Sequence, residues 1–125
     1  PVGPEFHRRS VYRFAPRGAN QGLLDTFDCP DPAAAAPRRA STTTPLQALA
    51  LWNSGFALRA ADAFATRAAK GADGAEAQAR AAWRLALQRD PTADELKIAT
   101  KLVAEHGLKA LCRVLFNGNE FVVAE

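Results

Sequence analysis

Helix-start and helix-stop signals alternate along residues 44–125, and these signals limit the possible folds more than any other feature of the chain. Thr44-Pro45-Leu46-Gln47 places a hydroxyl at the N-cap, proline at the first helical position and glutamine three residues after the cap. This arrangement is a capping box with the favoured first residue. Thr92-Ala93-Asp94-Glu95 forms a second box and opens an amphipathic run. We therefore predict that Thr44 and Thr92 are helix caps.

Apolar side chains recur at helical spacing between these signals, and glycine or asparagine follows the apolar runs. The chain also contains 28 alanines, a residue that favours helices and is depleted in strands. We therefore predict an all-α fold, with about five helices forming a small bundle in residues 44–125. Only the tail has a strand-like pattern, at Phe121-Val122-Val123. The helices are expected to begin at Thr44, after Gly55, near Ala75, at Thr92 and near Leu108.

Prolines and glycines interrupt residues 7–43 repeatedly, so this stretch is predicted to be an irregular arm that wraps the bundle. A short helix or turn is expected at Gln21–Phe27. Ala33–Ala36 has room for one helical turn at most, because prolines flank it. A length of 125 residues suits one domain overall. Residues 1–6 are expected to be a tag or linker remnant of an excised piece, since the first residue is proline rather than methionine.

The charge distribution indicates one candidate binding region. The net charge of +3 is too small to indicate a partner, and it disfavours nucleic-acid binding. Basic and aromatic residues are concentrated only in the arm, where arginine forks could bind an anion or another protein. The alternative, which we prefer, is that these arginines pair with acidic residues and tie the arm down. The candidate anion- or partner-binding residues are Arg8, Arg9, Tyr12, Arg13, Arg38 and Arg39.

The acidic residues are expected to be structural. Their spacing does not match a calcium loop, and no catalytic or metal-binding motif is present in the sequence. Glu120 is expected to form a salt bridge with an arm arginine such as Arg39 rather than to act as a general base. The candidate salt-bridge residues are Asp25, Asp28, Asp31 and Glu120.

The two cysteines are not arranged in a Cys-x-x-Cys motif. We expect two free thiols, with Cys112 a small core residue. A Cys29–Cys112 disulfide stays open as an alternative in an oxidising compartment. No stretch approaches the roughly 20 apolar residues that a membrane-spanning helix needs, so no membrane insertion is expected.

Several segments together resemble a known family. The sequence is similar to the C-terminal domain of unknown function of planctomycete cytochrome-c-like exported proteins, a planctomycete-specific family. The match spans nearly the whole chain from Arg8. Three departures are visible, namely His7, Ser54-Gly55 and Cys29. The segments that carry the resemblance are Arg8-Arg9-Ser10-Val11-Tyr12, Thr26-Phe27-Asp28-Cys29-Pro30-Asp31, the stretch from Arg38 to Leu49, Leu51-Trp52-Asn53, Arg89-Asp90-Pro91-Thr92 with Glu95, and Asn117-Gly118-Asn119-Glu120-Phe121.

The resemblance implies that this chain is the C-terminal part of a larger domain in an exported protein of the periplasm or cell envelope. Haem would lie elsewhere in that parent protein, and this chain would hold no cofactor. We expect a structural or interaction module without catalysis of its own. The alternative is a part of an envelope redox or carbohydrate-active enzyme that binds an anionic ligand through the arm arginines. The expected partners are the remaining domains of the parent, with self-association where the missing half of the domain leaves an apolar patch exposed.

Overall fold

The structure, a computed structural model, describes Arg9, Tyr12 and residues 22–30, 35–38 and 42–122. The chain divides into two compact units, residues 1–44 and residues 45–125.

The described part of the first unit contains one short helix. Helix α1 spans Leu23–Thr26, inside the segment predicted to hold a short helix or turn. Asp28 follows in the left-handed region, with φ 56°. Its carboxylate accepts hydrogen bonds from the Thr42 backbone N–H at 2.7 Å and from the Thr42 hydroxyl at 2.8 Å. Ala35 and Ala36 are exposed and not helical, and the rest of the predicted Ala33–Ala36 turn lies outside the described residues.

The second unit confirms the all-α prediction. Five of its helices are nine or more residues long, and no strand occurs within the described ranges. Helix α2 begins immediately after Thr44, and α5 begins after Thr92. Gly107, with φ 81°, ends α5 at the predicted stop. The helices are α2 Pro45–Asn53, α3 Gly55–Ala68, α4 Ala75–Leu87, α5 Ala93–His106, α6 Leu108–Phe116 and α7 Asn119–Val122.

Small side chains dominate the core of this unit. Helix α6 packs against α3, α4 and α5, and α4 also packs against α5. Among the described residues, six of the ten buried hydrophobic side chains are alanines, which let helix axes approach closely. The Phe64 and Phe116 rings stack at the edge of the core, with centroids 5.3 Å apart. The buried hydrophobic residues are Ala57, Ala61, Ala68, Ala79, Ala82, Ala99, Val103, Leu111, Cys112 and Leu115.

The strand-like prediction for the tail is wrong. Residues Asn119–Val122 form helix α7, and Val123 lies outside the described residues. Phe121 packs its ring on Phe116 with centroids 5.0 Å apart, while Glu120 binds Arg89. These side-chain contacts outweigh the β propensity of the valine and phenylalanine side chains.

Candidate functional site

Arg89 binds two carboxylates from different parts of the second unit. Its Nε donates to Glu120 Oε1 at 2.7 Å, and its Nη2 donates to Glu120 Oε2 at 2.8 Å. Its Nη1 and Nη2 also donate to the Glu95 carboxylate at 2.9 and 2.8 Å. The guanidinium carbon lies 5.8 Å from the Trp83 ring centroid. We call Arg89, Glu95 and Glu120 the Arg89 clamp.

The turn between α4 and α5 positions the clamp. Gln88 ends α4 in the left-handed conformation, with φ 56°. At the start of α5, both hydrogen bonds of the capping box are present, between Thr92 and Glu95. The Glu95 carboxylate accepts the Thr92 backbone N–H at 2.7 Å while it also binds Arg89. One carboxylate therefore starts a helix and anchors the arginine at the same time.

The electrostatics of the clamp favour ion pairing. Hydrogen bonds from Arg89, then from the Thr92 backbone, lower the pKa of Glu95 to about 2. Hydrogen bonds from Arg89 also lower the pKa of Glu120. The same two carboxylates raise the pKa of Arg89. A carboxylate that stays ionised at neutral pH and is held by an arginine is a weak base, so the clamp is suited to holding helices together.

A second ion pair lies beside the clamp and joins the same turn to α4. Arg84 donates to both carboxylate oxygens of Asp90, with Nη2 2.9 Å from Oδ2. These hydrogen bonds lower the pKa of Asp90. The turn between α4 and α5 therefore supplies Arg89 to the clamp and Asp90 to the pair with Arg84.

One prediction on a salt bridge needs correction. Glu120 was expected to bind an arm arginine such as Arg39, but it binds Arg89 of the bundle, and Arg39 itself lies outside the described residues. The sequence analysis missed Arg89 as a site residue. The signal was present, because arginine stands six residues before Glu95 in the segment that includes the capping box.

The predicted arm residues are only partly described. Arg9, Tyr12 and Arg38 are exposed, whereas Arg8, Arg13 and Arg39 lie outside the described residues. The first two of the three arm acids, Asp25 and Asp28, are described and the third, Asp31, is not. Within the described ranges, neither Arg9 nor Arg38 forms an ion pair. The expected pairing of the arm arginines with Asp25, Asp28 and Asp31 stays a prediction, because several members of the set lie outside those ranges.

Large apolar side chains are exposed where α2 meets α3. Leu46, Leu49 and Trp52 of α2 are 62, 56 and 40% exposed, and Phe56 at the start of α3 is 64% exposed. Their spacing of three to four residues places the α2 members along one side of that helix. We call these four residues the α2 strip. The sequence carried a signal for it, because α2 contains no charged residue.

Arg113 of α6 ties α2 to the bundle at this strip. Its guanidinium carbon lies 4.8 Å from the Trp52 ring centroid, in a cation–π contact. Its Nη2 donates to the Trp52 carbonyl oxygen at 2.9 Å. Its Nε is buried and finds no hydrogen-bond partner among the described residues. Nearby on α3, Asp62 is already bound by Lys109 at 2.6 Å.

Both cysteines are free thiols. Cys112 is fully buried, and burial raises its pKa to about 12, which makes it unreactive at neutral pH. Cys29 is exposed. Over the described ranges, no three His, Cys, Asp or Glu side chains are grouped so that they could hold a metal ion. No helix among those residues has the length and apolar character needed to cross a membrane.

A comparison with known families shows which family the chain belongs to. Residues 2–103 match the PSD1 family, which is described as a protein of unknown function (DUF1553). The chain belongs to this family. The PSD1 match includes the Arg89–Glu95 half of the clamp and the whole α2 strip, while Glu120 and α7 follow it. Neither the curated proteins nor the solved structures contained a match.

Proposed function

We propose that this PSD1 domain is a helical interaction module without catalysis of its own, and that it belongs to a larger exported protein. The observation that carries the proposal is the α2 strip, where four large apolar side chains lie exposed on one helix and its successor. Exposed apolar patches rimmed by polar residues mark protein interaction sites. A partner that covered the strip would bury side chains that the bundle leaves in water.

The chemistry of the clamp supports the same proposal. Glu95 and Glu120 are held by Arg89, so these carboxylates act in packing rather than in proton transfer. The charged groups with the largest pKa shifts in the described residues thus stabilise the scaffold that presents the strip.

The context of the module is proposed from the family resemblance. We infer a planctomycete parent protein with a cytochrome-c-like domain, located in the periplasm or cell envelope. Any haem would be held by that other domain. The remaining domains of the parent are then the expected partners of this chain, and self-association is the alternative arrangement.

The proposal is tested with the parent protein divided into two polypeptides. The 125-residue chain is mixed with the rest of the parent, and complex formation is measured by analytical ultracentrifugation. A stable complex is expected. The proposal fails if no complex forms, or if the isolated chain turns over a substrate by itself.

A second candidate function rests on the arm. Arg9 and Arg38 are exposed and form no ion pair within the described part of the chain, which suits anion binding. The chain would then contribute to an envelope redox or carbohydrate-active enzyme. Binding to a sulfated polysaccharide but not to its neutral counterpart, with loss in an Arg38→Gln variant, would support this candidate.

A further inference from the structure

The α2 strip is an uncharged helix face at the edge of the bundle. Helix α2 has nine residues, about 14 Å of helix, and none of them is charged. It packs against α3, while α6 reaches it through Arg113. A partner helix of two to three turns would match its length.

Two arginines border the strip, and neither binds a carboxylate within the described part of the chain. Arg59 is one turn after Phe56, and its Nη1 lies beside Gly55, 3.3 Å from where a β-carbon on that glycine would be. Arg113 lies over Trp52. Among the described residues neither Arg59 nor Arg113 forms an ion pair. The border of the strip is therefore positively charged.

An apolar partner alone would fit this border poorly. Covering the strip would move both guanidinium groups out of water, and a charge that loses water without gaining a hydrogen bond is costly. A carboxylate on the partner would accept hydrogen bonds from the exposed guanidinium nitrogen atoms of these arginines, and arginine forks match carboxylates well.

We propose that the α2 strip is a docking surface for an acidic amphipathic helix of the parent protein. The apolar side chains of that helix would pack on Leu49, Trp52 and Phe56, and its carboxylates would bind Arg59 and Arg113. This inference rests on the proposed function, because it names the surface and the partner chemistry through which the module would act.

The first test uses two synthetic 14-residue helical peptides and the full 125-residue chain. Both peptides carry leucine and phenylalanine at the same positions, but one has flanking glutamates and the other has flanking lysines. Fluorescence anisotropy should show that the glutamate peptide binds at least about tenfold more tightly, with affinity that falls as salt is added. Equal affinities for the two peptides, or no binding of either, would overturn the proposal.

The second test uses matched variants of the chain. Leu49→Glu and Arg59→Glu should each weaken binding of the glutamate peptide by about tenfold or more. Ile98→Glu is the control for the first, because Ile98 is also exposed but lies on α5. Arg67→Glu is the control for the second, because Arg67 is an exposed arginine two turns further along α3. Circular dichroism checks that each variant remains helical.

The variants also separate this inference from the proposed function. If the Leu49→Glu chain still assembles with the rest of the parent as the wild type does, the module acts through another surface, and the docking proposal is wrong while the proposed function stands. If neither chain assembles with the parent, the proposed function fails. If the chain forms a dimer that the Leu49→Glu substitution dissociates, the occupant of the strip is a second copy of the chain. The proposal of an acidic partner helix is then wrong.

Discussion

The core of α3–α6 and the α2 strip use apolar side chains in opposite ways. Alanines supply most of the buried core, whereas leucine, tryptophan and phenylalanine lie exposed on the strip. The closely packed helices accept small side chains, so burial here follows size and helix spacing more than hydrophobicity. The larger apolar residues of this domain are therefore divided into two groups. Some stabilise the fold, and others remain available to a partner.

The sharpest contrast is between a leucine in the core and a leucine on the strip. Leu111 is 2% exposed, so Leu111→Ala should lower the free energy of unfolding by about 2–5 kcal/mol through lost burial and a new cavity. Leu49→Ala, at an exposed position, should change it by about 0.5 kcal/mol or less. Urea denaturation measures both. Similar losses of stability in the two variants would show that the strip leucine stabilises the fold as much as the core leucine does.

Enlarging an alanine tests whether close helix approach sets the core. Ala82 is fully buried on α4, and Ala82→Leu should lower the free energy of unfolding by about 1–3 kcal/mol through overpacking. Ala77→Leu on the same helix is the control, because Ala77 is exposed. If Ala82→Leu is as stable as the control, the core has spare room and the size argument fails.

Loss of the capping box at Thr92 is expected to have a smaller effect on the free energy of unfolding. Thr92→Ala removes the hydroxyl that accepts the Glu95 backbone N–H, and it should lower the free energy of unfolding by about 1 kcal/mol. Thr92→Ser keeps a hydroxyl at the same position and should stay close to the wild type. Thermal denaturation of the three proteins distinguishes them, and equal losses in both variants would rule out the hydroxyl as the cause.

Disrupting the Arg89 clamp is expected to have the smallest effect on stability, because its charges are partly exposed and screened by salt. The folded pKa of Glu95 lies below its ordinary value of 4.5, at about 2. The clamp therefore contributes stability above pH 4.5, and this contribution is lost as the pH falls towards 2. Melting temperatures between pH 6 and pH 2 measure it. Arg89→Met should flatten this dependence, and an unchanged pH profile in that variant would contradict the assignment.

Much of the fold could be predicted because its signals are local. The box at Thr92, the glycine at 107 and the apolar spacing of α6 each lie within a few residues of the boundary that they determine. Helix α7 could not be predicted in this way. Its four residues are too few to form a stable helix alone, and its contacts are with Phe116 and with Arg89, which lies 31 residues from Glu120.

The candidate site was harder to predict than the fold. Glu120 could be identified as a salt-bridge residue, but its partner depends on how α4, α5 and α7 come together. The α2 strip was missed for a related reason. Leu46 and Leu49 are apolar residues of the kind usually found in a core. Only the packing of α2 at the edge of the bundle leaves them exposed.

The fork of Arg89 has a consequence for proteolysis. Helix α7 is attached by Glu120 and by the Phe121 ring, so a carboxypeptidase digesting the folded protein should slow down when it reaches these anchored residues. Without the guanidinium, only the Phe121 ring contact would remain, and trimming through α7 should be faster. A single side chain in a turn thus protects a segment some thirty positions away from digestion.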